Sequence, residues 1–153
     1  MSQWHETYRV PASVTLNDGT SIEGEIHLQT ATAIHEGAEV PVEMLNRPER
    51  FFAVSLARGE VTLVSKAQTA IVTCDASLWK VDEQRRAISR KFRLVVEMIG
   101  GQSLSGSAYW ELPSTHPRPQ DYLNVSETFF EISEDGMSHC INRTLVAQVR
   151  PFE

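Results

Sequence analysis

The chain has 153 residues, 41% of them apolar, with 14 basic and 20 acidic side chains and a formal net charge of −6. That is enough apolar material for a core and too much negative charge for long-range attraction to a phosphate backbone. No stretch approaches the roughly 18 apolar residues of a membrane span, and Met1 to Glu6 lack the basic start and apolar run of a secretory signal. With only Cys74 and Cys140, which need not pair, the expectation is a cytoplasmic protein with reduced thiols and no membrane association.

Strand signals dominate from the start. Val10 to Leu16 and Ile22 to Leu28 alternate apolar and polar residues around Asn17-Asp18-Gly19-Thr20. Asp-Gly between alternating runs is a hairpin signal, because type I′ turns need positive φ. Val14, Leu16, Ile22, Ile26 and Leu28 form the apolar side, with Thr15, Glu23, Glu25 and His27 facing out. Gly24 lies inside the second strand, which marks a bulge, a sharp bend or a close backbone approach. A variable loop is expected over Gln29 to Glu43. Phe51 to Leu56, Val61 to Val64 and Ala70 to Val72 then read as strands, with a turn at Arg58-Gly59.

The connector 75–91 is the one segment with a net positive charge. Residues 76–91 carry 5 basic and 2 acidic side chains, against 5 and 10 in residues 1–75 and 4 and 8 in residues 92–153. A short helix capped by Ser77 and a strand-like extension into Phe92 are both open readings of it. Leu94 to Ile99, the turn at Gly100-Gly101, and Leu104 to Trp110 form a second hairpin, with Gly106 inside a strand as Gly24 is. An irregular loop with Pro113, Pro117 and Pro119 follows. Phe129 to Ser133, a turn at Asp135-Gly136, Ser138 to Ile141 and Leu145 to Val149 close the chain.

The second half repeats the first. Gly19, Ile22 and Gly24 match Gly101, Leu104 and Gly106; Leu45-Asn46 and Phe51-Phe52 match Leu123-Asn124 and Phe129-Phe130. A single repeat of this length means two copies of one small domain rather than a solenoid. The expected fold is all-β, with two tandem five-stranded barrels from internal duplication, 8–74 and 92–150, joined by the basic connector 75–91. In each paired phenylalanine one ring faces a core, because neighbours in a strand point to opposite sides. The other ring packs between the repeats.

Glycine at the first hairpin turn, Ile-x-Gly or Leu-x-Gly in the second strand, an asparagine after a variable loop, and Ile141-Asn142-Arg143-Thr144-Leu145-Val146 near the end together resemble the Sm-like barrel family. Another five-stranded SH3-like barrel is the alternative. The resemblance implies RNA binding in rings, with ligand contacts at Asn46, Lys66, Asn124, Asn142 and Arg143. Arg86 and Arg90 in the connector, four residues apart and followed by Ser103 and Gly106, are similar to the phosphate-clamping arginines of the PilZ cyclic-di-nucleotide domain. The acidic balance of both repeats weighs against these nucleotide readings.

Nothing in the sequence sets up catalysis. The histidines His5, His27, His35, His116 and His139 form no His-x-x-x-His pair, and Cys-x-x-Cys, Gly-x-Ser-x-Gly and P-loop patterns are absent. The expectation is therefore a non-enzymatic binding or assembly module without metal or cofactor. Its expected partner is protein, foremost another copy of itself. Small open barrels carry strand edges whose backbone groups are satisfied by pairing across subunits. Tyr109, Trp110 and Tyr122 are candidate outward aromatics for that contact.

Overall fold

The computed structural model describes residues 7–30, 37–76, 90–110, 119–124 and 127–152. Ten antiparallel strands form one sheet. β1 (Thr7–Leu16) and β2 (Ser21–Gln29) make the first hairpin, followed by a short helix α1 (Pro41–Leu45), then β3 (Phe51–Ser55), β4 (Val61–Ser65) and β5 (Thr69–Asp75). β6 (Arg90–Met98), β7 (Ser103–Trp110), α2 (Pro119–Leu123), β8 (Phe129–Glu134), β9 (Met137–Asn142) and β10 (Val146–Phe152) repeat that order. No helix among the described residues is long and apolar enough to cross a membrane.

The two helices fall beside or at the ends of segments read from sequence as loop. At α1, Pro41 sits in the first turn, where its missing N–H costs nothing. The Glu43 carboxylate accepts the Val40 N–H at 2.9 Å, which starts the helix despite a non-polar residue at the capping position. The Ser77 helix reading of the connector lies in residues 77–89, outside the described residues, while of the strand-like extension into Phe92 the structure describes the part from Arg90, the first residue of β6.

The strand order is β10-β6-β7-β8-β9-β5-β1-β2-β3-β4. Each half therefore runs fifth, first, second, third, fourth, and the register repeats as well. Ala12 lies opposite Gly24 in β2 and Cys74 in β5, as Leu94 lies opposite Gly106 in β7 and Pro151 in β10. Both fifth strands slip register near their start, between Thr69 and Ile71 and between Val146 and Gln148. Where the sequence led one to expect two tandem five-stranded barrels, the strands of both halves belong to one sheet that is not closed. One open sheet runs through both, because β5 pairs with β1 on one side and β9 on the other. That pairing satisfies one backbone edge of each half.

Gly24 and Gly106 lie where β2 and β7 pass close to the backbone of β3 and β8. A methyl group at Gly24 would lie 2.5 Å from the Ser55 carbonyl oxygen, and one at Gly106 would lie 2.8 Å from that of Ser133. Of the readings open for these glycines, close backbone approach is the one found. The first hairpin departs from expectation: Asp18 has no positive φ, and the turn is closed by Gly19 N–H to Leu16 O, with Gly19 alone at φ +90°. The extra residue Asn17 makes this a three-residue connection ending in a glycine bulge. Asp135-Gly136 does have both residues at positive φ, 51° and 78°, as a type I′ turn requires.

Two apolar clusters form the core, and each borrows from the other half. The first holds Val10, Val14, Ile26, Leu28, Met44, Phe52 and Val54, together with Phe129 and Cys140 from β8 and β9. The second holds Leu94, Val96, Ala108, Phe130, Ile132 and Ile141, together with Ala70 and Ile71 from β5. Alternation explains the exchange: Phe130 and Ile141 face their own core while Phe129 and Cys140 face their neighbour's.

Candidate functional site

The junction between the halves combines backbone pairing with polar and apolar side-chain contacts. Its frame is the antiparallel pairing of β5 with β9, from Ile71↔Ile141 to Asp75↔Met137. On it sits Phe129, 1% exposed, in the first core. The side-chain amide of Asn46 brackets this residue. Its Nδ2 donates to the Phe129 carbonyl at 3.0 Å and its Oδ1 accepts the Phe129 N–H at 2.8 Å. One amide thus completes both hydrogen bonds of a backbone unit at the start of β8.

Asn142 clamps the seam from the other side through a different set of groups. It is fully buried, and its Nδ2 donates to the carbonyls of Lys66 and Thr69 at 3.2 and 3.0 Å. Its Oδ1 accepts from the Thr144 N–H and hydroxyl at 3.0 and 2.6 Å. All four hydrogen-bonding positions of the amide are filled. Thr73 Oγ1 and His139 Nδ1, 2.9 Å apart, add a side-chain contact across the same strands.

The basic residues implied by the Sm-like resemblance serve the helix ends. Lys66 is buried, and its Nζ donates to the carbonyls of Met44 and Arg47 at 2.9 and 3.0 Å. Burial pushes its pKa down. Arg143 donates to the Leu123 carbonyl at 3.3 Å, the matching point of α2. Both cations donate to carbonyls at or just beyond the C-terminal end of a short helix. Asn124, the counterpart of Asn46, is exposed. Asn46, Lys66 and Asn142 therefore converge on the junction and the end of α1, whereas Asn124 and Arg143 lie at the end of α2. Arg86 lies outside the described residues, and of Arg90 the structure describes the backbone, as the first residue of β6.

The remaining chemically able groups are withdrawn from solvent. Burial pushes the Cys74 thiol up to about 12 and raises Cys140 well above the ordinary thiol value. Both are free and buried, so neither is a ready thiolate. Tyr122, read from sequence as an outward aromatic, instead packs edge-on against Phe130 with centroids 5.9 Å apart. Its hydroxyl donates to the Glu131 carbonyl at 3.2 Å. The tyrosine leans inward because the short helix carrying it lies over the second core. Tyr109 is half-buried, and the side chain of Trp110 lies outside the described residues. Among the described residues no group of three His, Cys, Asp or Glu side chains gathers as a metal site.

The histidines give the fold a pH dependence. Burial lowers the pKa of both His139 and His27 below the ordinary 6.5. A group whose folded pKa is depressed binds protons preferentially in the unfolded chain. Stability is therefore full above about pH 6.5 and falls as pH drops through the folded values. Urea midpoints should decrease between pH 7.5 and 5.5, and replacing both residues with glutamine should flatten that decrease. An equal decrease in the doubly substituted protein would assign the effect to other groups.

Sequence reasoning placed a phenylalanine of each pair between the repeats but missed how differently the two pairs end up. Phe51, the counterpart of Phe129, is 57% exposed, and on β4 Leu63 at 68%, opposite Ala53, and Val61 at 57%, opposite Ser55, are exposed as well. No family model matches the chain, and neither a curated protein nor a solved structure matches it.

Proposed function

We propose that the protein is a non-enzymatic assembly module, a tandem pair of Sm-like or SH3-like repeats that adds further protein through its sheet edges, foremost another copy of itself. One observation carries this reading: the repeats are joined by a fourth strand pairing with a fifth, β9 with β5, and the sheet ends in a fourth strand and a fifth strand, β4 and β10. The molecule thus already contains one example of the contact that its two ends are shaped to make. An edge lined by exposed Val61 and Leu63, without a covering element among the described residues, calls for a partner.

Nucleic acid is the weaker reading. Lys66 and Arg143 spend hydrogen bonds on helix-end carbonyls, and Asn46 and Asn142 spend theirs on the junction. Few cations remain near those positions to neutralise phosphates, and the formal charge is −6. Light scattering should give a mass above that of one chain at micromolar concentration. A titration with labelled single-stranded RNA at about 150 mM salt should show no tight binding, since weak contact through few phosphates is lost steeply with salt. A single-chain mass together with sub-micromolar RNA affinity would overturn the reading and put RNA first.

A further inference from the structure

We infer that copies join head to tail, β10 of one against β4 of the next, with Phe51 inserted under α2 of its neighbour and bracketed by that neighbour's Asn124. The inference rests on the assembly reading and specifies its contact. The equivalences come from the internal registers. Ile71 and Gln148 hold the same place relative to β1 and β6, and Val64 and Ile141 hold the same place relative to β3 and β8. Transferring Ile71↔Ile141 and Thr73↔His139 to the free edges gives Gln148↔Val64 and Arg150↔Thr62. Val149 then lies against Leu63.

Burial supports the same match on both edges. On the donor side, Phe129 and Cys140 are buried in the adjoining core, whereas their counterparts Phe51 and Leu63 are exposed. On the receiving side, Met44, Leu45 and Val72 are buried beneath or beside the incoming β8 and β9. Their counterparts Tyr122, Leu123 and Val149 are only half-buried. What is buried in the first half and only half-buried in the second is the set that a neighbour's β3 and β4 would cover. Asn46 closes on the Phe129 backbone, and Asn124 occupies the corresponding place at the end of α2.

One substitution weakens the copy relative to the original. Pro151 stands where Cys74 stands in β5, at a position whose N–H faces outward. The outward sense follows from Ala76, two residues beyond Cys74, whose N–H donates to Gly136 O across the junction at 2.8 Å. Proline removes that donor. Together with the polar Gln148 and Arg150, it leaves an edge that pairs reversibly rather than one that aggregates. Pairing unlike edges makes the contact heterologous, so assembly proceeds in one direction around a ring or along a filament.

The experiment uses the full chain. Thr62→Cys and Arg150→Cys would face each other as a close, non-hydrogen-bonded pair, within disulfide reach. Under mild oxidation the double variant should form a covalent ladder rising in steps of one chain. A mixture of the two single variants should give one covalent pair, and each single variant alone none. The native Cys74 and Cys140 are buried and should stay silent. Separately, Phe51→Ala and Asn124→Ala, both exposed positions, should each weaken association at least tenfold by light scattering while leaving the melting curve nearly unchanged at a concentration where the chain is single. Pro151→Val should strengthen it. If the chain associates but the cross-links fail, form within one single variant, or persist with unweakened association in Phe51→Ala and Asn124→Ala, this geometry is wrong while the assembly reading stands. A wild-type chain that stays single at all concentrations overturns both.

Discussion

Truncating Phe129 to alanine is expected to cost about 3–5 kcal/mol of unfolding free energy, the range for a buried aromatic whose site cannot collapse. The same change at Phe51 is expected to cost less than about 1 kcal/mol in the single chain, since an exposed ring leaves no cavity. The two residues hold equivalent places at the start of β3 and β8. Their difference comes from what lies opposite: Phe129 fills the first core while Phe51 faces solvent. Urea denaturation of both variants, at a concentration where the chain is single, measures the contrast. Phe52 and Phe130, each 6% exposed in its own core, should behave like Phe129. Similar small losses at Phe51 and Phe129 would mean that the halves do not share a core.

Asn142→Ala should be nearly as damaging. The amide fills four hydrogen bonds inside the junction, and its loss leaves the Lys66 and Thr69 carbonyls and the Thr144 donors without their partner. Each buried group left unsatisfied costs about 1–3 kcal/mol, so a total of about 3–5 kcal/mol is expected after partial relaxation. Asn142→Asp should be no milder, because a carboxylate cannot donate to two carbonyls and would be repelled by them. The measurement is again the denaturation midpoint. The outcome also separates two roles for this residue: a ligand contact would leave stability intact on removal, whereas a junction clamp would not. An Asn142→Ala protein as stable as the parent would return the residue to the ligand-binding role implied by the Sm-like resemblance.

Much of the architecture was legible because it is written in local patterns. Alternation around Gly19 and Gly101 marks hairpins, the shared spacing of Gly24 and Gly106 marks close backbone approaches, and the doubled Leu-Asn and Phe-Phe motifs mark a duplication. Each of these depends on residues close in the chain and on a period of two, which sequence records directly. The helices α1 and α2 were missed because five residues give too little periodicity to register. The type I′ expectation at Asp18-Gly19 failed because one further loop residue changes the turn class.

The sequence by itself determined that this chain builds ten short strands in two matching sets, with an asparagine and a phenylalanine pair at the same place in each. Only the tertiary structure decided that one open sheet joins the sets and that Asn46 and Asn142 serve its seam. It likewise decided that identical motifs end in opposite environments, Phe129 enclosed and Phe51 exposed. The physical reason is that edge pairing between β5 and β9 is made by backbone groups every strand possesses, so no residue type announces it. A side chain's burial depends on which strand arrives next to it, and that is a property of the assembled sheet.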